Sequence, residues 1–582
     1  MRYNEAIYET RRRKTREVPV GDVGVGGRNP VRIQSMTTSD TRNVEGTVEE
    51  IIRLADAGCE MARVAVQGKK EATSCERIKN TLVRKGYSIP LIADIHFYPP
   101  AALTVVEFVD KVRINPGNFA DRRAVFRKKE YDDASYAREL DRVEEVFSPL
   151  VEKSLALRKA LRIGVNHGSL SDRIMNRYGD TPSGMVESAL EFARICRKRG
   201  FHDLIFSMKS SNPAVMIEAY RLLTQRMYEL GWDYPLHLGV TEAGLGLPGR
   251  IKSAVGTGTL LLDGLGDTIR VSLAEDSVEE IGPCRELVRL AEGHEGRGVP
   301  PFIACDEARV RKKFPRLHKV LHKKGSVFLH VPGGSKRSPC EYDAYLGEGA
   351  ERADALYIEE ERKIVSGSDP GEEPPRFSWI GTEKGDIESI DPSSDLFFLE
   401  LKRPILQRGR SLFYELRGRY PLVPLILVAD YEGSEESIAL CAGAELGALL
   451  VEGIGDGLLL RTPLPPERNR EISFNLLQAC RMRMSQTELI ACPSCGRTLF
   501  DLQETTKRIR EKTAGFPGVK IGIMGCVVNG PGEMADADVG YVGSRPGKVD
   551  LYVGKQCVER GVDVADADQK LIDLIRSADI AP

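Results

Sequence analysis

Three cysteines and one carboxylate near the C-terminus have the spacing of a metal centre with one exchangeable corner: Cys492-Pro-Ser-Cys495, then Cys526-Val-Val-Asn-Gly-Pro-Gly-Glu533. Two residues between cysteines let both thiolates turn toward one centre, and a cysteine in a Gly/Pro-rich loop approaches it from another side. Three sulfurs with Glu533 as a removable fourth ligand describe a reactive centre and favour iron. Zinc is the alternative, with Cys557 as a fourth thiolate closing a structural site. A zinc ribbon needs a second Cys-x-x-Cys knuckle, however, and 30 residues separate Cys526 from Cys557. A thioredoxin-like redox pair fits less well, because Cys492 does not clearly open a helix after a strand.

A second group of reactive side chains lies far upstream, at the ends of short β-rich runs. It comprises Gln34, Arg63, Asp94 with His96, Arg113 with Asn115, Asn166 with His167, Ser207 with Lys209, Glu242, and Arg270 with Ser272. Arg63, Arg113, Lys209 and Arg270 supply four cations against two carboxylates, Asp94 and Glu242. Arginine's planar fork donates two parallel hydrogen bonds to phosphate, so a dianionic or diphosphate ligand is expected here, with internal ion pairing the plainer alternative. Glu242 ranks first and Asp94 second as proton-exchanging groups; the histidines rank lower, because a lone histidine near a strand end is more often structural.

These residues can meet only if the strands share one rim. From residue 31 to 273 a β-rich run, a turn and an amphipathic segment repeat eight times, with strand candidates Val31–Met36, Met61–Val66, Pro90–His96, Lys111–Asn115, Arg162–His167, Asp203–Lys209, Pro235–Glu242 and Asp267–Leu273. Capping boxes are read at Thr47-Val-Glu-Glu50 and Thr73-Ser-Cys-Glu76, and helix-ending glycines at Gly58, Gly86 and Gly200. Eight such units predict an α/β fold with an N-terminal TIM-type (β/α)8 barrel over residues 1–291, whose C-terminal strand ends carry the active site. A doubly wound open sheet is the alternative.

A break at Gly293–Gly298 and Pro300-Pro301 opens an inserted α/β domain, residues 292–470, in which few polar groups gather at strand ends. Its strand candidates are Ser326–Val331, Asp354–Ile358, Asp395–Leu401, Val423–Ala429 and Leu446–Val451, and Ser366–Pro375 reads as an exposed loop. A packing role is expected. Residues 471–582 form the C-terminal α/β metal domain, with Cys492 after a strand at Glu488–Ala491, Cys526 after one at Val519–Met524, and two strands within Gly540–Tyr552.

The 582 residues carry a net charge of −2, which offers no excess for nucleic acid or an anionic membrane. The longest apolar run, Leu446–Leu460, is interrupted by Glu452 and Asp456 and does not reach bilayer length. Twelve scattered cysteines predict a reducing, cytoplasmic setting. Arg11-Arg12-Arg13-Lys14 is flanked by Glu5, Glu9 and Glu17 and reads as a solvated leader rather than a targeting peptide. Gly21–Gly27 precedes the first barrel strand and opens no helix, so it is weak as a nucleotide loop.

Through Gln34-Ser-Met-Thr-Thr38, Arg63-Val-Ala-Val66, Arg113-Ile-Asn-Pro-Gly117, Gly164-Val-Asn-His-Gly168, Gly239-Val-Thr-Glu-Ala-Gly244 and, most specifically, Gly525–Glu533, the chain resembles the 4-hydroxy-3-methylbut-2-enyl diphosphate synthase family of the non-mevalonate isoprenoid pathway. Residues 292–470 resemble the insert of the family's long, three-domain form, and the absence of a transit peptide favours a bacterium. The resemblance implies two-electron reductive ring opening of 2-C-methyl-D-erythritol 2,4-cyclodiphosphate with loss of water. It implies one 4Fe-4S cluster held by Cys492, Cys495 and Cys526, with Glu533 as the ligand that gives way to a substrate oxygen. It further implies a diphosphate clamp of Arg63, Arg113, Lys209, Arg270, Ser207 and Ser272, with Glu242 as proton donor. Asn529 then lies beside the cluster, and His96, Asn115 and Asn166 orient groups around the substrate. Ferredoxin or flavodoxin is the implied electron donor, and the chain acts as a monomer or homodimer, capped by its own or a partner's cluster domain. Two readings of other classes stay open: a zinc-ribbon interaction protein on a barrel scaffold, and a cluster-free barrel transferase acting on a phosphorylated or pterin-like substrate.

Overall fold

The apolar runs that end in charge form a closed ring of parallel strands in the structure, a computed structural model. It describes residues 2–95, 97–121, 131–301, 321–322, 324–330, 355–358, 363–365, 377–381, 387, 390–527 and 530–577. A hairpin of β1 (Glu17–Val20) and β2 (Val23–Gly26) precedes the ring. The ring comprises β3 (Arg32–Met36), β4 (Met61–Val66), β5 (Leu91–Ile95), β6 (Lys111–Ile114), β7 (Ala160–Asn166), β8 (Leu204–Lys209), β9 (His237–Leu238) and β10 (Thr268–Ile269). Neighbours pair in the order β8-β7-β6-β5-β4-β3-β10-β9, and the Phe206–Leu236 bridge closes the circle, with the Phe206 amide donating to the Pro235 carbonyl at 3.0 Å. This is the expected TIM-type barrel, and the open-sheet alternative falls. β9 and β10 are shorter than the runs predicted for them.

The glycine-rich Gly21–Gly27 is the turn and second strand of the hairpin. Val18, Val20 and Val25 are buried against Met61, Ile92, Ala160 and Ile205, so the hairpin floors the barrel at the end opposite the strand termini. The N-terminal charge run is not a solvated leader. Arg13 is buried and donates to the Tyr234 and Trp232 carbonyls, and Arg12 pairs with Asp267 at 3.1 Å. Desolvating Arg13 is tolerated because two carbonyls accept from it.

Both predicted capping boxes fail. The first helix starts earlier, at Val44–Asp56, capped by the Asn43 side chain accepting from the Gly46 amide; the second, Lys69–Arg84, already encloses Thr73. Glu50 instead accepts from the Thr38 and Ser39 amides, holding the loop at the barrel mouth. Gly58, Gly86 and Gly200 do close their helices with positive φ.

A second sheet has the order β13-β12-β11-β17-β16-β15-β14, with strands β11 (Ser326–His330), β12 (Ala355–Ile358), β13 (Lys363–Val365), β14 (Phe377–Ile380), β15 (Leu396–Leu401), β16 (Leu425–Asp430) and β17 (Gly457–Arg461). It is parallel except at β13. The predicted loop Ser366–Pro375 lies outside the described residues. Leu446–Val451 is not a strand but the end of a helix, Glu435–Val451, buried from Ile438 to Leu450. A helix covered on all sides loses its polar stripe and reads like a buried strand. Its small residues admit the barrel's helices closely: a side chain at Gly443 would meet Ala254, and one at Gly258 would meet Ala444.

The third sheet runs β18 (Glu488–Ala491), β19 (Lys520–Met524), β20 (Val539–Arg545), β21 (Lys548–Val553) and β22 (Gln556–Asp563), parallel through β20 and antiparallel beyond. Cys492 follows β18 and Cys526 follows β19. Among the described residues no helix is long and apolar enough to cross a membrane.

Candidate active site

The barrel mouth and the C-terminal domain of the same chain line one cavity. From the barrel come Arg63, Asp94, Arg113, Asn166, Lys209, Glu242, Arg270 and Ser272; from the other wall come Cys492, Cys495 and Cys526. Most of the residues singled out in the sequence therefore meet. Ser207 is buried on β8 but does not line the cavity. Asn115 is used structurally: its Oδ1 accepts from the Gly117 amide and its Nδ2 donates to Ser169 at 2.7 Å. His96 and Asn529 lie outside the described residues. Glu533 ends the short helix Gly530–Glu533, whose Gly532 packs so tightly on the Gly168 carbonyl that a Cβ would lie 2.0 Å from it.

Several lining residues had not been singled out: Arg162, Arg497, Met36, Thr241 and Thr498. Arg162 opened the predicted strand Arg162–His167, and a cation inside an apolar run was its only signal. Behind the wall Glu280 pairs with Arg270 through two 2.8 Å hydrogen bonds. The mouth thus holds six lining cations, Arg63, Arg113, Arg162, Lys209, Arg270 and Arg497, against Asp94, Glu242 and Glu280 among the described residues.

The electrostatics follow from that imbalance. Arg113 is anchored by Asp94 at 2.9 Å and by Asn166 at 3.1 Å. Burial pulls the Arg270 pKa down, but Glu280 outweighs it and keeps the guanidinium firmly charged. Lys209 and Arg162 are pushed far below their ordinary values by burial and then by neighbouring arginines, and burial brings Arg63 to about 9. Crowded cations without compensating carboxylates are costly, and a bound anion relieves that cost. Glu242 is buried at φ +48°, a left-handed conformation that a non-glycine residue holds only when its surroundings impose it.

On the opposite wall the Gly525 amide donates to Cys492 Sγ at 3.2 Å, and although burial alone would lower the Arg497 pKa, Cys495 and Asp94 outweigh it and keep the guanidinium charged. Burial, then Cys495 and Cys526, raises the Cys492 pKa well above that of a free thiol. Among the described residues no three His, Cys, Asp or Glu side chains close on a single point as a one-ion site; the three thiols share a wall of the cavity instead. Mutually repelling thiols, an amide donor to sulfur, and a cationic chamber suit a thiolate-held group that accepts electrons. Cys557 stands apart, its thiol facing the Glu559 carbonyl at 3.6 Å, and does not line this cavity.

The model of the GcpE TIM-barrel domain matches residues 15–285, and that of the GcpE protein C-terminal domain matches residues 488–577. The flavodoxin-type 4-hydroxy-3-methylbut-2-en-1-yl diphosphate synthase of Protochlamydia amoebophila is 52% identical, over 99% of this chain and 98% of its own length. The chain belongs to the 4-hydroxy-3-methylbut-2-en-1-yl diphosphate synthase family. Other members include the ferredoxin-type chloroplastic enzyme of Oryza sativa subsp. japonica, 48% identical over 99% of this chain and 88% of its own length. The flavodoxin-type enzyme of Leptospira interrogans is 42% identical over 100% and 98%. These family members span residues 286–487, which neither domain model covers. The zinc-ribbon and transferase alternatives find no support among them.

Proposed function

We infer that this chain reductively opens 2-C-methyl-D-erythritol 2,4-cyclodiphosphate to 4-hydroxy-3-methylbut-2-enyl diphosphate. One observation carries the reading: a cation-rich barrel mouth and three cysteines from a separate sheet border the same cavity. The substrate gains two electrons, the C–O bond to the diphosphate breaks, and one hydroxyl leaves as water. Residues 1–291 bind the substrate, 292–470 are structural, and 471–582 carry the redox group.

Cys492, Cys495 and Cys526, with Glu533 as fourth ligand, would hold a 4Fe-4S cluster. When bound, that cluster supplies electrons one at a time and a Lewis-acidic iron. Arg63, Arg113, Arg162, Lys209 and Arg270 grip the diphosphate and stabilise the charge it gains as the ring opens. Glu242, buried beside Ser272 and Thr241 on the cavity wall, protonates the departing hydroxyl. Asp94 fixes Arg113, Asn166 supports the same guanidinium and Ser272 lines the same wall, while Asn115 and Ser207 support the rim from outside the cavity and the family pattern assigns His96 and Asn529 to substrate contact. The cap excludes water from the reacting groups.

The named bacterial relatives use flavodoxin and the chloroplastic ones ferredoxin, so a small one-electron carrier of that kind is the donor here. Cys495 and Cys526 also border an outer cleft with Asp40, Arg42, Glu275, Asp276 and Asp501, which gives the donor its approach. Cap and barrel belong to one chain, which supports action as a monomer or as a dimer of self-capped chains. Free thiols at all ten described cysteines support a cytoplasmic setting. Anaerobic protein is expected to contain about four irons and matching sulfide and to convert the cyclodiphosphate with a reduced low-potential dye. One tight zinc and no iron after reconstitution would overturn the reading.

A further inference from the structure

Arg497 sits two residues beyond Cys495, in the loop between β18 and the helix Leu502–Thr513. Among the described residues it is the cation that the C-terminal domain brings to a cavity whose other cations all belong to the barrel. Its side chain is 6% exposed. One edge of the guanidinium is committed: Nη2 lies 3.8 Å from Asp94 Oδ2 across the domain boundary, an ion-pair distance. Nε and Nη1 are fully buried and find no acceptor in the protein.

Buried guanidinium N–H groups are almost always satisfied, because leaving them unpaired forfeits the hydrogen bonds they made to water. Here they border a cavity already short of negative charge, so the missing acceptor belongs to the ligand. We propose that Arg497 is a substrate-binding residue delivered by the cap, donating from Nε and Nη1 to an oxygen of the bound cyclic diphosphate while Asp94 holds its other edge. The inference deepens the function proposed above and rests on it. In consequence the substrate is gripped from both walls, and tight binding requires the closed arrangement of the two domains. The anchoring is specific to arginine's fork: a lysine at this position keeps the charge but cannot serve Asp94 and the ligand at once.

The test compares wild-type, Arg497→Met and Arg497→Lys enzymes, anaerobically reconstituted and left oxidised so that nothing turns over. Iron and sulfide are counted, and cyclodiphosphate affinity is measured by calorimetry. Arg497→Met is expected to bind at least tenfold more weakly with its iron intact, and to raise KM more than it lowers kcat, with Arg497→Lys between the two. Affinity within twofold of wild type in Arg497→Met overturns the proposal, even if the cluster's reduction potential shifts, since Arg497 would then serve only its cysteine neighbour. Should Arg497→Met lose iron, the comparison moves to cluster-free wild type and variant with inorganic diphosphate as the probe; weaker binding supports the proposal and equal binding overturns it. If wild type neither binds nor converts the cyclodiphosphate, the functional reading fails instead, a result distinct from any of these.

Discussion

Two buried charge clusters in this molecule are built on opposite plans. Where the inserted domain meets the barrel, Arg410 and Arg221 face Glu452 and Asp263: Arg410 is 2.8 Å from Asp263 and 2.5 Å from Glu452, and Arg221 is 2.6 Å from each carboxylate. Charges match one for one, and although burial alone would lower the arginine pKa values, the carboxylates raise both. At the barrel mouth the same type of side chain is driven the other way, with Arg162 and Lys209 far below their ordinary values. A closed network stabilises the fold as it stands; an unbalanced one is completed by something that arrives. The contrast separates structural charges from ligand-binding ones without reference to any known site.

The largest expected effect breaks the balanced cluster. Arg410→Met leaves Glu452 and Asp263 to share Arg221 alone, with one buried negative charge uncompensated, and should destabilise the protein by about 3–5 kcal/mol, read by denaturant unfolding. KM should stay within about threefold of wild type, and a comparable loss of substrate affinity would mean that the insert reaches the active site after all. Arg270 tests the boundary between the two plans, because it faces the ligand yet is neutralised by Glu280. Arg270→Met should cost both stability and affinity, by roughly 2–4 kcal/mol in folding. Adding Glu280→Gln should restore most of the stability but none of the binding. Recovery of both would place the diphosphate elsewhere.

Lys209→Met should show the reverse of Arg410→Met. Among the described residues Lys209 has no carboxylate partner and is crowded by Arg63, Arg162 and Arg270. Replacing it should leave ligand-free stability unchanged or raised, while diphosphate affinity falls about a hundredfold, close to 2.7 kcal/mol. A marked drop in ligand-free melting temperature would show that its charge is already compensated.

How much of this was legible in the sequence depended on whether a residue's partner was near in the chain. The eight strands showed as apolar runs with polar ends, and the cysteine spacing marked the redox wall, because both are local patterns. The compensation of Arg270 was invisible, since Glu280 lies on a turn, Ser277–Glu280, that nothing in the sequence aims at strand β10. Arg162 and Arg497 were passed over for the same reason: a cation's direction depends on which wall its backbone joins. The helix Glu435–Val451 was misread as ending in a strand because complete burial erased its periodicity. Thr47 and Glu50 were misread as a cap because Glu50 is used across a loop rather than along its own helix.

The smallest expected effect concerns how the two walls are latched. Ser211 on the barrel donates to Asp536 of the cap at 2.5 Å, and His167 lies 3.9 Å from the same carboxylate, an ion-pair rather than a hydrogen-bond distance. His167 also faces Asp180 at 3.2 Å, and Lys555 of the cap pairs with Asp180 at 3.3 Å. Burial lowers the His167 pKa, but Asp536 and Asp180 outweigh it and leave it above the ordinary 6.5; burial raises that of Asp536, but His167 and Ser211 bring it to about 2. A raised histidine contributes stability that is complete below its unfolded value and is lost as pH rises through its folded one. A depressed carboxylate contributes above its ordinary 3.8 and is lost as pH falls toward about 2. The latch is therefore strongest from about pH 4 to 6.5 and loosens on the alkaline side. Asp536→Asn keeps an acceptor for Ser211 but removes the charge, so its deficit relative to wild type should be about 1 kcal/mol at pH 6 and shrink by pH 9. A deficit that stays constant between those two pH values would show that Ser211 alone holds the cap and that His167 takes no part in closure.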